Sequence, residues 1–110
     1  MPVRLMELFV DTLQKCGTRL LEMSDEDVGY CIFEEFDIGS ASFLHEDALL
    51  KLKEANLITE EISQKSIVLR NKFIEIQNTE QWNIQSVRES REWREILELS
   101  DEIKNLLPKR

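Results

Sequence analysis

Between Leu20 and Leu50 the chain carries nine acids, Glu22, Asp25, Glu26, Asp27, Glu34, Glu35, Asp37, Glu46 and Asp47, and no lysine or arginine. A run so charged stays disordered when it is poor in apolar residues. This one is not poor, because Val28, Tyr30, Ile32, Phe33, Phe36, Phe43 and Leu44 are threaded through it. It is therefore expected to fold and to hold its carboxylates in a fixed array. The chain has 22 acids and 14 bases in all. The other 13 acids are thus balanced by 14 bases, and the net charge of -8 belongs to this one segment.

Concentrated charge of one sign raises the local potential and speeds encounter with a partner of the opposite sign. An acidic chain is a poor ligand for DNA or RNA, whose phosphates demand lysine or arginine. A partner selected by charge is basic, and we expect no direct nucleic-acid contact.

At 110 residues the length fits a single domain, which buries about two thirds of the unfolded chain's surface. No apolar run approaches about 18 residues, so no spanning helix and no membrane partner are expected. The first residues, with Arg4 and Glu7 bracketing a short apolar stretch, lack a signal-peptide pattern. We read the protein as cytoplasmic, with Cys16 and Cys31 as reduced core thiols.

The apolar spacing is helical along most of the chain. From Val3 to Met23, Leu5, Phe9, Leu13, Cys16 and Leu20 form a stripe that Met6, Val10 and Leu21 widen. Pro2 suits the first turn, and Gly17 either bends this helix or admits another element close to it. Ser24, followed by Asp25, Glu26 and Asp27, has the form of a helix start, with a capping hydroxyl and acids at the positive end of the dipole.

With Asp27 set at zero and about 100° per residue, Val28, Ile32 and Phe36 lie between roughly 100° and 180°. Glu26, Tyr30, Glu34 and Asp37 lie between roughly 260° and 340°, with Phe33 at about 240° beside them. One face is core and the other is a column of carboxylates around a tyrosine. Residues 28–33, rich in β-branched and aromatic side chains, also fit a strand. We take the helix.

Residues 37–42 read as a loop, with Ser42 capping a helix that buries Leu44, Ala48, Leu49, Leu52 and Ala55 and stops at Asn56. Thr59, followed by Glu60 and Glu61, caps a long central helix to about Asn78, with Ile62, Leu69, Phe73 and Ile76 as its stripe and Ile67 and Ile74 beside it. Trp82, Ile84 and Val87 suggest a short helix or turn plugging the core. The last helix, Arg91 to Leu107, buries Trp93, Ile96, Leu97, Ile103 and Leu107 and ends at Pro108. Its outer face pairs Arg88, Arg91 and Arg94 with Glu92, Glu95 and Glu98 at i,i+4, a solvated face. The expected fold is all-α, a single-domain bundle of five to six helices.

Little here suggests catalysis. The single histidine, His45, stands beside Glu46 and Asp47 in a first helical turn, and there is no phosphate loop, nucleophile elbow or zinc spacing. A calcium loop with Gly29 at its sixth position would put Val28 at a ligand position, which no aliphatic side chain can fill. We expect no enzyme, cofactor or metal. Trp82 and Trp93 read as core. Tyr30 and Phe33, beside acids, read either as interface anchors or as residues half-covered by a neighbouring loop.

Residues 69–78 (LRNKFIEIQN), 82–88 (WNIQSVR) and 92–103 (EWREILELSDEI) together resemble small bacterial immunity proteins of contact-dependent growth inhibition systems. The likeness covers the C-terminal 40 residues or so. It implies a cytosolic protein that binds the toxic C-terminal domain of a cell-surface effector, commonly a nuclease, and blocks its active site. The Asp-Tyr-Tyr-Pro motif of the colicin-type helical immunity proteins is missing, which sets the chain apart from that group.

Charge points the same way, because a nuclease is basic around its site. On this reading the partner-binding residues are Asp25, Glu26, Asp27, Tyr30, Phe33, Glu34, Asp37, Glu46 and Asp47. An acidic helical regulatory module that binds a basic host protein is the rival.

Overall fold

The computed structural model describes residues 2–107. Among them there are six continuous helices, one 3-10 turn and no strand. Helix α1 (Pro2–Gln14) is followed by the 3-10 turn (Thr18–Glu22). Helix α2 (Asp25–Gly29), a π-helical stretch (Tyr30–Phe36) and α3 (Asp37–Phe43) then run on as one rod. The chain continues through α4 (Glu46–Glu54), α5 (Glu60–Gln77), α6 (Ile84–Glu89) and α7 (Arg91–Leu106). The all-α bundle expected from the apolar spacing is what the chain forms.

Antiparallel α5 and α7 make the most extensive helix pair. Two ion pairs mark their register: Lys65 Nζ lies 3.2 Å from Glu102 Oε1, and Lys72 Nζ lies 3.5 Å from Glu95 Oε1. Both partners step by seven residues in opposite directions, two turns of each helix, so the seam stays in register. Ser63 and Ser66 are buried on α5 and Ser100 on α7. The expected stripe Ile62, Leu69, Phe73 and Ile76 is buried, whereas Ile74 is exposed.

The core is anchored by aromatic rings. Phe73 meets Phe36 edge-on at 4.8 Å and Trp82 at 5.3 Å, and Trp93 lies 5.9 Å from Trp82. Trp93 is fully buried, and its indole N-H donates to Gln81 O at 2.6 Å. Trp93 is core, as expected, while Trp82 is half-buried and packs against the core. Cys16 and Cys31 are free thiols, the first fully buried and the second half-buried.

Helix ends follow side-chain chemistry. Ser24, Thr59, Asn83 and Ser90 each accept from the backbone N-H three residues on. Each such cap contributes about 1 kcal/mol. Asn56, with φ of 60°, takes the left-handed conformation that asparagine tolerates and ends α4 as expected. Pro108, expected to stop the last helix, lies outside the described residues.

Four local expectations are corrected. The first helix ends at Gln14 rather than Met23. There Ser100 Oγ donates to Leu13 O and Cys16 O at 3.1 and 2.9 Å, and Lys104 Nζ donates to Cys16 O at 2.9 Å. The carbonyls that would have continued the helix are taken by α7 instead. A Cβ on Gly17 would stand 2.5 Å from Asp101 Oδ1, so the close approach is with α7.

Residues 37–42 are helical, not a loop. Gly39 and Ser40 are buried where α3 crosses α1, and a Cβ on Gly39 would lie 2.5 Å from Thr12 Oγ1. Glycine is there to let two helices touch, and Ser40 Oγ satisfies itself on Asp37 O at 3.1 Å. Third, α4 is capped by His45, whose Nδ1 accepts from Asp47 N at 3.2 Å, and not by Ser42.

Fourth, of the i,i+4 pairs expected along the last helix, Arg94 with Glu98 is the one formed, at 4.0 Å. Ser90 breaks the helix between Arg88 and Glu92, which destroys their i,i+4 register. Glu95 turns to Lys72 instead.

Candidate partner-binding face

The rod of residues 25–43 carries the candidate face. Among its buried positions Val28, Ile32, Phe36 and Ser40 are each four residues after the last, with Gly39 buried beside Ser40. In an α-helix every such step advances about 40° around the axis. This stripe would wind off the core within three steps. The wider π turn falls short of a full circle over four residues where the α-helix overshoots it, so Tyr30–Phe36 offsets the drift of the α-helical steps on either side.

The opposite face inherits the same spacing. Asp27, Tyr30, Glu34, Ile38 and Ala41 are all exposed. They span about 20 Å of the rod at 1.5 Å per residue. Tyr30 is 53% and Ile38 66% exposed.

Glu26, Asp27 and Glu34 form no ion pair among the described residues. Glu35, half-buried and five residues beyond Tyr30, lies within hydrogen-bond reach of its phenol and pushes that group's pKa up, partly by the bond and partly by its charge. The i,i+5 relation is the one a π turn brings together.

Three of the residues expected to bind are otherwise engaged. Asp25 accepts from Arg88 Nε at 2.9 Å, with Nη2 at 2.8 Å. Phe33 turns inward: its ring lies 4.7 Å from Trp82 and 6.2 Å from Trp93. It is half-buried and packs against the core, held by rings that come from 49 and 60 residues further along. Asp37 is half-buried and accepts from Gln77 Nε2 at 3.0 Å.

Glu46 and Asp47 are exposed in the first turn of α4, beyond the far end of the rod. Residue 43 lies about 27 Å from residue 25 along the axis. The acids therefore form two groups rather than one column. Glu26, Asp27 and Glu34 share the rod with Tyr30, whereas Glu46 and Asp47 stand apart.

Ile38 escaped the sequence reading because it fell in the segment taken as a loop. Its signal was its spacing of four from Glu34 and of eight from Tyr30. Among the described residues no three histidine, cysteine or acidic side chains converge as a metal site, and no helix is long and apolar enough to cross a membrane. Comparison with protein-family models, with curated proteins and with solved structures gave no match.

Proposed function

We propose that the protein is an immunity protein that binds a cognate basic toxin domain, a nuclease in the first instance, and blocks its active site with the acidic rod. One observation carries this reading. Glu26, Asp27 and Glu34 stand exposed, with no ion-pair partner among the described residues, around an exposed tyrosine in a segment with no lysine or arginine. A surface that grips phosphates is the natural complement to such a face. The resemblance of residues 69–103 to immunity proteins supports the same reading, and it draws on a different part of the chain.

The test is genetic and direct. The toxin candidate is a secreted protein's C-terminal domain encoded beside this reading frame. Inducing that domain in cells should stop growth, and co-expression of this chain should restore it through a complex that co-purifies. Continued growth arrest with the chain abundant and folded would refute the proposal.

A further inference from the structure

We infer that the stripe Tyr30, Glu34 and Ile38 docks a cationic protein segment that carries an apolar side chain among its basic ones. This deepens the immunity reading and rests on it for the partner's identity. It does not rest on it for the contact itself.

Single exposed apolar residues are ordinary on a protein surface. Two on one stripe, four residues to either side of a carboxylate, are a different matter. Tyr30 and Ile38 are 53% and 66% exposed, and Glu34, exposed as well, stands between them on the same rod. Tyrosine flanked by uncovered acids is the composition of an interface anchor with a charged rim.

Charge chooses among the possible occupants. A nucleic acid or an anionic lipid surface would set phosphates against Asp27 and Glu34. A second copy of this chain, joined face to face about a two-fold axis, would set the same acids against themselves. A basic segment meets no such repulsion. Its apolar side chain is what distinguishes it from a plain polycation, because an ammonium or guanidinium gains nothing from the exposed face of Ile38.

The test uses the full chain and two peptides of equal length and charge, one interleaving arginine with leucine and the other arginine with serine. The parent should bind the leucine peptide about tenfold more tightly, and added salt should weaken both while preserving the ratio. Tyr30→Ser and Ile38→Ser should remove the preference and leave the serine peptide's affinity unchanged. Leu50→Ser and Val68→Ser, at exposed positions on other helices, should keep the preference.

Equal binding of the two peptides by the parent overturns the inference. So does a preference that survives at Tyr30 and Ile38 or is lost equally at Leu50 and Val68. All four side chains lie outside the core, so the variants are expected to fold, and circular dichroism checks this. Failure of toxin protection with the peptide preference intact would count against the immunity reading alone.

Discussion

Arg88 closes the entrance of the acidic rod through Asp25, 63 residues earlier in the chain. The same guanidinium donates from Nη1 to Leu21 O at 3.0 Å and from Nη2 to Met23 O at 2.6 Å. One side chain from α6 thus ties the end of the 3-10 turn to the first residue of α2. Its planar fork satisfies two carbonyls and a carboxylate at once, which a lysine cannot do.

Arg88→Ala is accordingly expected to destabilise the fold by about 2 kcal/mol, mostly through the two orphaned carbonyls. Asp25→Asn should cost much less, since that carboxylate is largely exposed and exposed ion pairs contribute little. Urea titration of Arg88→Ala, Arg88→Lys and Asp25→Asn decides this. A lysine variant as stable as the parent would show that charge alone is at work.

Gly39 makes a second stability prediction. A methyl group there would meet Thr12 Oγ1 at 2.5 Å and Thr12 Cγ2 at 2.7 Å, so Gly39→Ala must push α1 and α3 apart. The cost expected for such overpacking is roughly 1–3 kcal/mol. Thr12→Ala removes both of the opposing atoms. The double variant Thr12→Ala/Gly39→Ala should therefore be more stable than the two single effects sum to, the coupling expected of residues in contact. Additive thermal shifts in this cycle would contradict the close-packed crossing.

These two contacts also show where the sequence was legible. The Thr59 cap, the stripe of α5 and the burial of Trp93 are local or periodic signals, legible in the sequence. Gly39 and Ser40 resemble a loop because local propensity knows nothing of Thr12, 27 residues away. The end of α1 depends on Ser100 and Lys104, and the inward turn of Phe33 depends on Trp82 and Trp93. Partners so distant leave no trace in a short window. The π turn left none either, because Val28, Ile32 and Phe36 at a spacing of four also suit an ordinary α-helix.

Asp101 predicts an acid-side loss of stability. Burial opposes ionisation of its carboxyl, yet Thr18 donates to it from both hydroxyl and backbone N-H, and Lys104 stands 3.3 Å away. These outweigh the burial and hold the folded-state pKa below the ordinary 3.8. A depressed carboxyl pKa stabilises the fold in full above the unfolded value, and that share is lost as pH falls through the folded one. Asp101→Asn should lower the urea midpoint near neutrality and make it less dependent on pH below 3.8. An unchanged acid slope would remove Asp101 from the network.

The two thiols should differ sharply in reactivity. Burial, only partly offset by Lys104 and Ser100, pushes the Cys16 thiol up to about 12. Since the thiolate is the nucleophile, Cys16 should resist alkylation in the native protein. Cys31, half-buried, should react first. Intact-mass analysis should show one label appearing before the second under native conditions, and two labels at once in denaturant without reductant. Preferential labelling of Cys16 would mean that the end of α1 opens readily.

The functional prediction separates charge on the rod from charge elsewhere. Asp37 is a poor site for charge reversal because a lysine there would break its bond with Gln77. Asp27 and Glu34 have no such partner. Their joint change to lysine should cut the association rate with a basic toxin domain about tenfold at low salt, an effect that fades as salt rises. Dissociation should change little, because long-range charge mainly steers encounter.

The control is Glu95→Lys/Glu98→Lys on α7. These acids face Lys72 and Arg94, and the local field there already mixes both signs. That variant shifts the net charge by the same amount as the first, so total charge cannot explain a difference between them. Stopped-flow association at two salt concentrations, read beside survival on toxin induction, measures both. If the α7 variant slows binding and fails to protect while the Asp27/Glu34 variant behaves as the parent, the partner sits on the α5 and α7 face, and the acidic rod is only a solvated surface.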